Sequence, residues 1–411
     1  MLIDLICLCF VIMGVILLIL GNLNIRKNKN PIEKTTVNSS NFAVLIPARD
    51  ESLVIENLLK SLKNQTVKFS MQDVYVIVET KEDRTVEICQ KYNATVIIRT
   101  TKKQRKGYAL DEALKQIKKE YDLYFIFDAD NVLDKNYFKE MLKTYKQGYD
   151  IGVGYRNCKN GNDNVISACS SLTFSMINTL GNDFRNKYNA NVVVSGTGFY
   201  IKGKWIKKWQ GYPFHSLTED YELSLYSILH DLTTYYNDNA IFYDEQPTKY
   251  SQTVKQRTRW IKGYFDSRKK YIPLIVKSME KNKKNYGSKY SACLGVRAYV
   301  YLAIGTILYI LKTLILLFIS MFDKNIPIYI ALMFLLGVVL IAYLIMMIIT
   351  YKMIKKDKLD LNKKTKIKTI FYNPIYLTTY VGCALRAVSK KNITWDKIEH
   401  KVNSKIVIEK W

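Results

Sequence analysis

The chain has 411 residues, 48% hydrophobic and 24% charged, with a formal net charge of +26; its apolar residues gather in runs at the two ends, which argues against an ordinary soluble enzyme. The excess Lys clusters beside those runs, where it faces anionic headgroups and sets topology, so the charge argues against nucleic acid as partner. Seven scattered cysteines without a CxxC pair, and only three histidines, argue against a zinc site or disulfide framework and fit a reducing, cytosolic compartment.

Residues 2–20 are apolar apart from Asp4 and long enough to cross a hydrocarbon core. No positive stretch precedes them and no small-residue cleavage site follows, which argues against a signal peptide. Arg26, Lys27 and Lys29 come directly after, placing the N-terminus outside and residue 26 onward in the cytoplasm. Apolar runs at 42–46, 74–78, 95–98 and 123–127 then alternate with helix-like stretches near 51–63, 84–92 and 106–119. The alternation predicts a mostly parallel sheet, whose ligands bind beyond the carboxyl ends of the strands. Pro47, Ala48 and Glu51 follow the first run, Glu79 and Asp83 the second, and Asp128 and Asp130 the fourth.

Two carboxylates two apart at a strand end reach one hard cation, Mg²⁺ or Mn²⁺, whose shell phosphates and water complete. Such a cation neutralises a leaving diphosphate. Alone, the triplet fits a solvated turn more readily. Lys106-Gly107 opens a helix after a basic loop and suits phosphate, or is simply solvated. In Ser195-Gly196-Thr197-Gly198 the glycines permit close backbone approach to a ligand, or a plain turn. Thr218-Glu219-Asp220 reads as an N-cap with acids in the first turn, or as a general base for an attacking hydroxyl. Gln256-Arg257-Thr258-Arg259-Trp260 lies on a basic helix. Its Arg fork suits a diphosphate and Trp260 a sugar ring; a surface helix with one anchoring aromatic is the plainer alternative.

Residues 268–292 are basic, with Tyr271, Ile272, Leu274 and Ile275 interspersed, and read as an amphipathic surface helix. Runs at 298–322 and 326–350 form a hairpin around the 323–325 connector; Lys312 in the first is costly unless it snorkels or faces a polar path. Eight lysines between 352 and 368 return the chain to the cytoplasm. The weaker stretch 369–388, with Asn373, Pro374 and Arg386, reads as interfacial or re-entrant. The expected divisions are 1–24, a membrane helix; 40–267, the catalytic-type domain; 268–296, interfacial; 297–350, the hairpin; and 351–411, a basic tail.

The ordered set IPARDE, an acidic turn, KG-x-AL, DAD, GTG, TED and QRTRW resembles the family 2 glycosyltransferases, in particular the membrane-bound branch with the cellulose, hyaluronan, chitin and poly-N-acetylglucosamine synthases. The resemblance covers about residues 40–265. It implies an α/β, Rossmann-like GT-A fold flanked by transmembrane helices, an inverting transfer from a UDP-sugar, and Mg²⁺ or Mn²⁺. Asp220, beside Glu219, is then the base; Asp128 contacts nucleotide and Asp130 the metal. Pro47, Ala48, Glu51, Glu79, Asp83 and Lys106 fall on the donor side, although relatives often carry Asp where this chain has Glu79. Gly196, Thr197, Gly198, Gln256, Arg259 and Trp260 fall on the diphosphate and acceptor side. The implied acceptor is a growing surface polysaccharide. Transfer of one sugar to a membrane lipid is the alternative, and a nucleotide-binding scaffold the non-enzymatic one. So few crossings fall short of a self-contained export channel, leaving room for an accessory membrane subunit.

Overall fold

The computed structural model describes residues 2–26, 41–281, 283–322 and 328–389; the 323–325 connector and the tail from 390 lie outside them. After helix α1 (Leu2–Arg26), strands and helices alternate: β1 (Phe42–Pro47), α2 (Ile55–Lys63), β2 (Val74–Val78), α3 (Thr85–Lys91), β3 (Thr95–Ile98), α4 (Lys106–Gln116) and β4 (Leu123–Ile126). These four strands lie where the apolar runs predict. β1, β2 and β4 are continuously apolar, as strands covered by helices on both faces must be, while the edge strand β3 opens with Thr95 and is only partly buried. β3, β2, β1 and β4 pair in parallel in that order.

The second half departs from this pattern. It comprises β5 (Val132–Leu133), α5 (Tyr137–Lys146), β6 (Ile151–Cys158), α6 (Val165–Met176), α7 (Asp183–Asn186), β7 (Phe199–Lys202), α8 (Gly203–Trp209), α9 (Glu219–Leu229) and β8 (Thr234–Asp244). A π-helical turn, Ile177–Asn182, joins α6 to α7. β7 runs antiparallel to both β4 and β6, β8 parallel to β6, and β5 antiparallel to β8. The sheet is therefore mixed, ordered β3-β2-β1-β4-β7-β6-β8-β5. Ser195–Gly198 precedes a strand rather than following one. One face buries an aromatic cluster in which Phe125 contacts Phe42, Phe138 and Tyr200 at centroid distances of 5.3, 4.8 and 5.7 Å.

α10 (Tyr250–Lys281) is one continuous helix through Pro273, so the expected boundary at 267/268 falls inside it. Tyr271 and Ile275 are buried against Leu225 and Ile228 of α9, while Leu274 and Val276 remain exposed. The apolar stripe thus serves mainly to fasten α10 to the domain. α11 (Tyr286–Ser320) and α12 (Ile328–Lys356) follow. Ile3–Arg26 and Leu335–Lys356 are long and apolar enough to cross a membrane; the apolar part of α11, Ile304–Ser320, is shorter.

α1 packs along α11 backbone to backbone: a Cβ on Gly305 would sit 2.9 Å from the Cys7 carbonyl oxygen. Lys312 finds its partner there, donating to the Asp4 carboxylate. Residues 357–362 strap the helical part to the domain. Tyr155 bonds Asp357, Asn162 donates to the Asp360 carbonyl at 2.7 Å, and Leu359 and Leu361 are buried with Leu172. α13 (Lys363–Ser389) carries the weak 369–388 stretch as an unbroken helix packed on α10, α6 and α12, with Phe371, Ile375, Val381, Leu385 and Val388 exposed.

Two predictions test these packings. Phe125→Ala lowers stability by about 3–5 kcal/mol, the usual loss for a truncated core aromatic, read as the midpoint of denaturant or thermal unfolding. Asp4→Asn or Lys312→Met alone lowers the melting temperature, because each leaves one charge among apolar side chains. The double variant recovers most of that loss, and a double variant no better than the worse single would contradict the pairing.

Candidate active site

The carboxyl ends of β1, β2 and β4, the loop before β7, the start of α9 and one face of α10 enclose a cavity of about 430 Å³. Pro47, Ala48, Glu51, Glu79, Lys106, Asp128, Asp130, Gly196, Glu219, Asp220, Gln256, Arg259 and Trp260 all line it. Residues up to 213 positions apart in the sequence thus converge by virtue of the sheet order.

Lys106, in the first turn of α4, reaches across the cavity and donates to the Asp128 carboxylate and, at 2.6 Å, to the Gly196 carbonyl. Gly107 lets α4 come this close: a Cβ there would lie 1.9 Å from the Phe214 carbonyl oxygen. Asp130 is held from three sides. Its carboxylate accepts from Asn131 Nδ2 at 3.1 Å and from the Glu245 N–H at 2.9 Å; its carbonyl accepts from Lys159 Nζ at 2.8 Å. Asp128 and Asp130 fit a hard divalent cation that takes its remaining oxygens from donor phosphates and water. Among the described residues, no three His, Cys, Asp or Glu side chains make a protein-only metal site.

Glu219 and Asp220 open α9. Burial pushes the Glu219 carboxyl up to about 7, and the adjacent Asp220 adds to the rise. Burial also lifts Asp220 above its ordinary value, while the Tyr221 N–H, donating at 2.8 Å, and the charges of Lys106 and Arg259 hold it down. Gly196 faces this carboxylate: a Cβ there would stand 3.4 Å from Asp220 Oδ2, on a backbone at φ +85°. Thr218 occupies the N-cap position, but its hydroxyl makes no capping bond and is buried without a partner among the described residues. Gly263 of α10 abuts it, with a Cβ position 2.4 Å from Thr218 Oγ1. Close helix approach, rather than capping, thus explains a small residue at 263.

Three expected site residues do not reach the cavity. Asp83 accepts from the Asp50 and Thr85 N–H groups, both at 2.8 Å, and shapes the loops after β1 and β2. Thr197 is fully buried, bonding Asn131 and accepting from the Asp128 N–H at 2.9 Å, so it fixes the acidic turn from behind. Gly198, at φ +65°, lies under the Phe242 ring, where a Cβ would be 2.0 Å away. Glu79 reaches the cavity but pairs with Arg49 at 3.3 Å and Arg99 at 3.5 Å. His215 stacks on Tyr108 at 4.3 Å, a packing role.

Sequence reading missed Arg156. It lines the cavity, bonds Asp244 at 2.6 Å and the Ser195 carbonyl at 2.6 Å, and lies 3.7 Å over the Phe174 ring. Its signal was a lone cation in the otherwise uncharged run 151–158, where a buried charge needs a partner. Tyr380, from α13, also lines the cavity and had no sequence signal beyond its helix.

Comparison with known proteins bears on the fold and the family. The chain is 26% identical over 236 residues to a probable glycosyltransferase, YdaM, of Bacillus subtilis, covering 54% of each protein. It is 26% identical over 212 residues to hyaluronan synthase 2 of Xenopus laevis, covering 49% of this chain and 36% of that one. The chain thus spans about half, or less, of the curated relatives it matches. In structure it resembles the mannosyltransferase PcManGT of Pyrobaculum calidifontis, solved with GDP-Man and Mn²⁺. The TM-score is 0.59 at 12% identity, over 95% of this chain and 100% of that one, which shows a shared GT-A fold. The model described as glycosyltransferase like family 2 matches residues 40–263, more than half of the chain, and the chain belongs to that family.

Proposed function

We propose that the chain transfers a sugar, with inversion, from a UDP-sugar to a hydroxyl of a growing surface glycan. The observation that carries this reading is a partly buried carboxylate, Asp220, lining the same cavity as Asp128 and Asp130 and facing the Gly196 backbone. The acceptor O–H gives its proton to Asp220 as its oxygen bonds the anomeric carbon. The bond from that carbon to the diphosphate oxygen breaks, and the nucleoside diphosphate leaves with the electron pair. Lys106 and Arg259, both lining the cavity, are placed to receive the negative charge that develops on the leaving group. Asp128 and Asp130 would hold Mg²⁺ or Mn²⁺, which supplies further charge neutralisation when bound. Pro47, Ala48 and Glu51 flank the nucleotide, and Trp260 the acceptor.

α1, α11 and α12 cross the membrane in this reading, with the N-terminus outside and the domain on the cytoplasmic side, where nucleotide-sugars are made. The exposed apolar faces of α1 and α12 support it, as do the lysines that follow α12.

The direct test is a donor panel: full-length protein in detergent with Mn²⁺ or Mg²⁺, UDP- and GDP-sugars, and nucleotide release and product mass as readouts. A UDP-sugar converted to a polymer ladder is the expected result. One labelled lipid band indicates the glycolipid alternative, and no turnover of any donor overturns the enzymatic reading. Asp220→Asn lowers transfer by about 10²–10⁴-fold while UDP binding persists, the usual loss for a removed general base. The acid limb of wild-type turnover lies above the ordinary aspartate value, because burial raises the base.

Glu219 gives a separate, stability-based test. Its folded-state value of about 7 lies above the ordinary 4.5, so its contribution is fully present below 4.5 and is lost as pH rises through 7. Glu219→Gln therefore raises the melting temperature relative to wild type at about pH 8, with the difference shrinking towards about pH 5.

A further inference from the structure

We propose that Arg257 is a positioning residue: it holds α13 against α10 so that Tyr380 forms the acceptor-side wall of the cavity, where its ring packs on a sugar ring of the acceptor. The inference rests on the transferase reading and adds to it a residue and a helix outside the matched segment 40–263.

Among the described residues Arg257, 1% exposed, is the largest fully buried side chain, and its donors go to carbonyls and hydroxyls rather than to a carboxylate. A buried guanidinium without a counter-charge is expensive unless its donors and its face are all used. Here they are. Nε donates to the Thr253 carbonyl at 3.2 Å and Nη2 to Thr253 Oγ1 at 3.0 Å. Nη1 donates to Thr379 Oγ1 at 2.7 Å and to the Tyr376 carbonyl at 3.3 Å. The guanidinium also lies 4.3 Å from the Tyr376 ring and 4.7 Å from the Tyr380 ring, within cation–π range. An apolar residue would fill this gap between two helices without desolvating a charge. What Arg supplies that an apolar residue would not is direction: it fixes the rotation of α13 and the ring of Tyr380.

Tyr380 lines the same cavity as Trp260 and Phe174, whose rings meet edge to face at 5.6 Å. The three aromatics line the cavity together with Ile177 and Tyr264, and the Arg156 guanidinium lies 3.7 Å over the Phe174 ring. Flat apolar rings, with polar tips on Trp260, Tyr264 and Tyr380, suit the C–H face and hydroxyls of a pyranose, not a diphosphate.

The test compares Arg257→Met, Arg257→Lys, Tyr380→Ala and Arg257→Met/Tyr380→Ala in the full chain. UDP with Mn²⁺ is the binding probe. The turned-over donor is followed as its partition between product and water, and hydrogen exchange is read over 376–387. Arg257→Met is expected to keep UDP affinity within about twofold but to shift partition about tenfold towards hydrolysis. It is also expected to raise exchange in 376–387. Tyr380→Ala is expected to match the partition shift without the exchange change, Arg257→Lys to restore part of both, and the double variant to be no worse than either single. Additive losses, an equal loss of UDP affinity, or unchanged partition each overturn the proposal. Unchanged exchange in Arg257→Met overturns the positioning role alone. A wild-type chain that neither binds UDP nor turns over any donor overturns the transferase reading, and the acceptor role with it.

Discussion

The site is organised around the ammonium of Lys106, suspended between the Asp128 carboxylate and the Gly196 carbonyl. Three segments meet there: the start of α4, the end of β4 and the loop before β7. A cation at this point offsets charge that would otherwise make the acidic cavity self-repelling, and it sets the position of the 196 backbone. That backbone in turn faces Asp220, whose Oδ2 lies 3.4 Å from where a Cβ at 196 would stand. The Asp128–Asp130 pair after β4 and the Asp220 carboxylate at the start of α9 are thus placed by one shared contact, reinforced by Arg156 between Asp244 and the Ser195 carbonyl.

How much of this is legible in the residues depends on where the information lies. β1, β2 and β4 stand out because parallel strands covered on both faces must be apolar throughout, and their ends name the loops that bear chemistry. β6, β7 and β8 do not stand out. β6 mixes Gly152, Gly154 and Arg156 into its strand, and β8 carries polar Asn237 and Asp238 in mid-strand, so neither shows a clean period. The antiparallel insertion of β7 is a tertiary arrangement that no local pattern encodes. Among the site residues, those exposed to the cavity were found through motif order. Asp83, Thr197 and Gly198 share those motifs but support them from behind, a distinction that depends on side-chain direction rather than on identity.

Periodicity has a second limit in α10. Tyr271 and Ile275 form an apolar stripe on a basic helix, the pattern of a surface-lying membrane helix. Yet the stripe is covered by Leu225 and Ile228 of α9. Amphipathicity states that a face must be covered; it does not say by what. The apolar ends were easier to read, since a continuous run of such length leaves few alternatives. Asp4 and Lys312, each anomalous in its own helix, account for each other once α1 and α11 lie side by side.

The spacing of the QRTRW segment follows from helix geometry. Positions 256, 259 and 260 fall on one face at i, i+3 and i+4, and all three meet the cavity. Positions 253 and 257, also four apart, fall on another face, where Thr253 receives two of the Arg257 donors and α13 receives two more. Two arginines two residues apart therefore cannot serve the same surface. Arg259 lines the cavity while Arg257 is turned about 200° around the axis, towards the helix that closes the cavity. A single turn and a half of α10 thus carries the cavity-lining groups Gln256, Arg259 and Trp260 on one flank and the fastening of α13 on the other. Any rotation of α10 changes both at once.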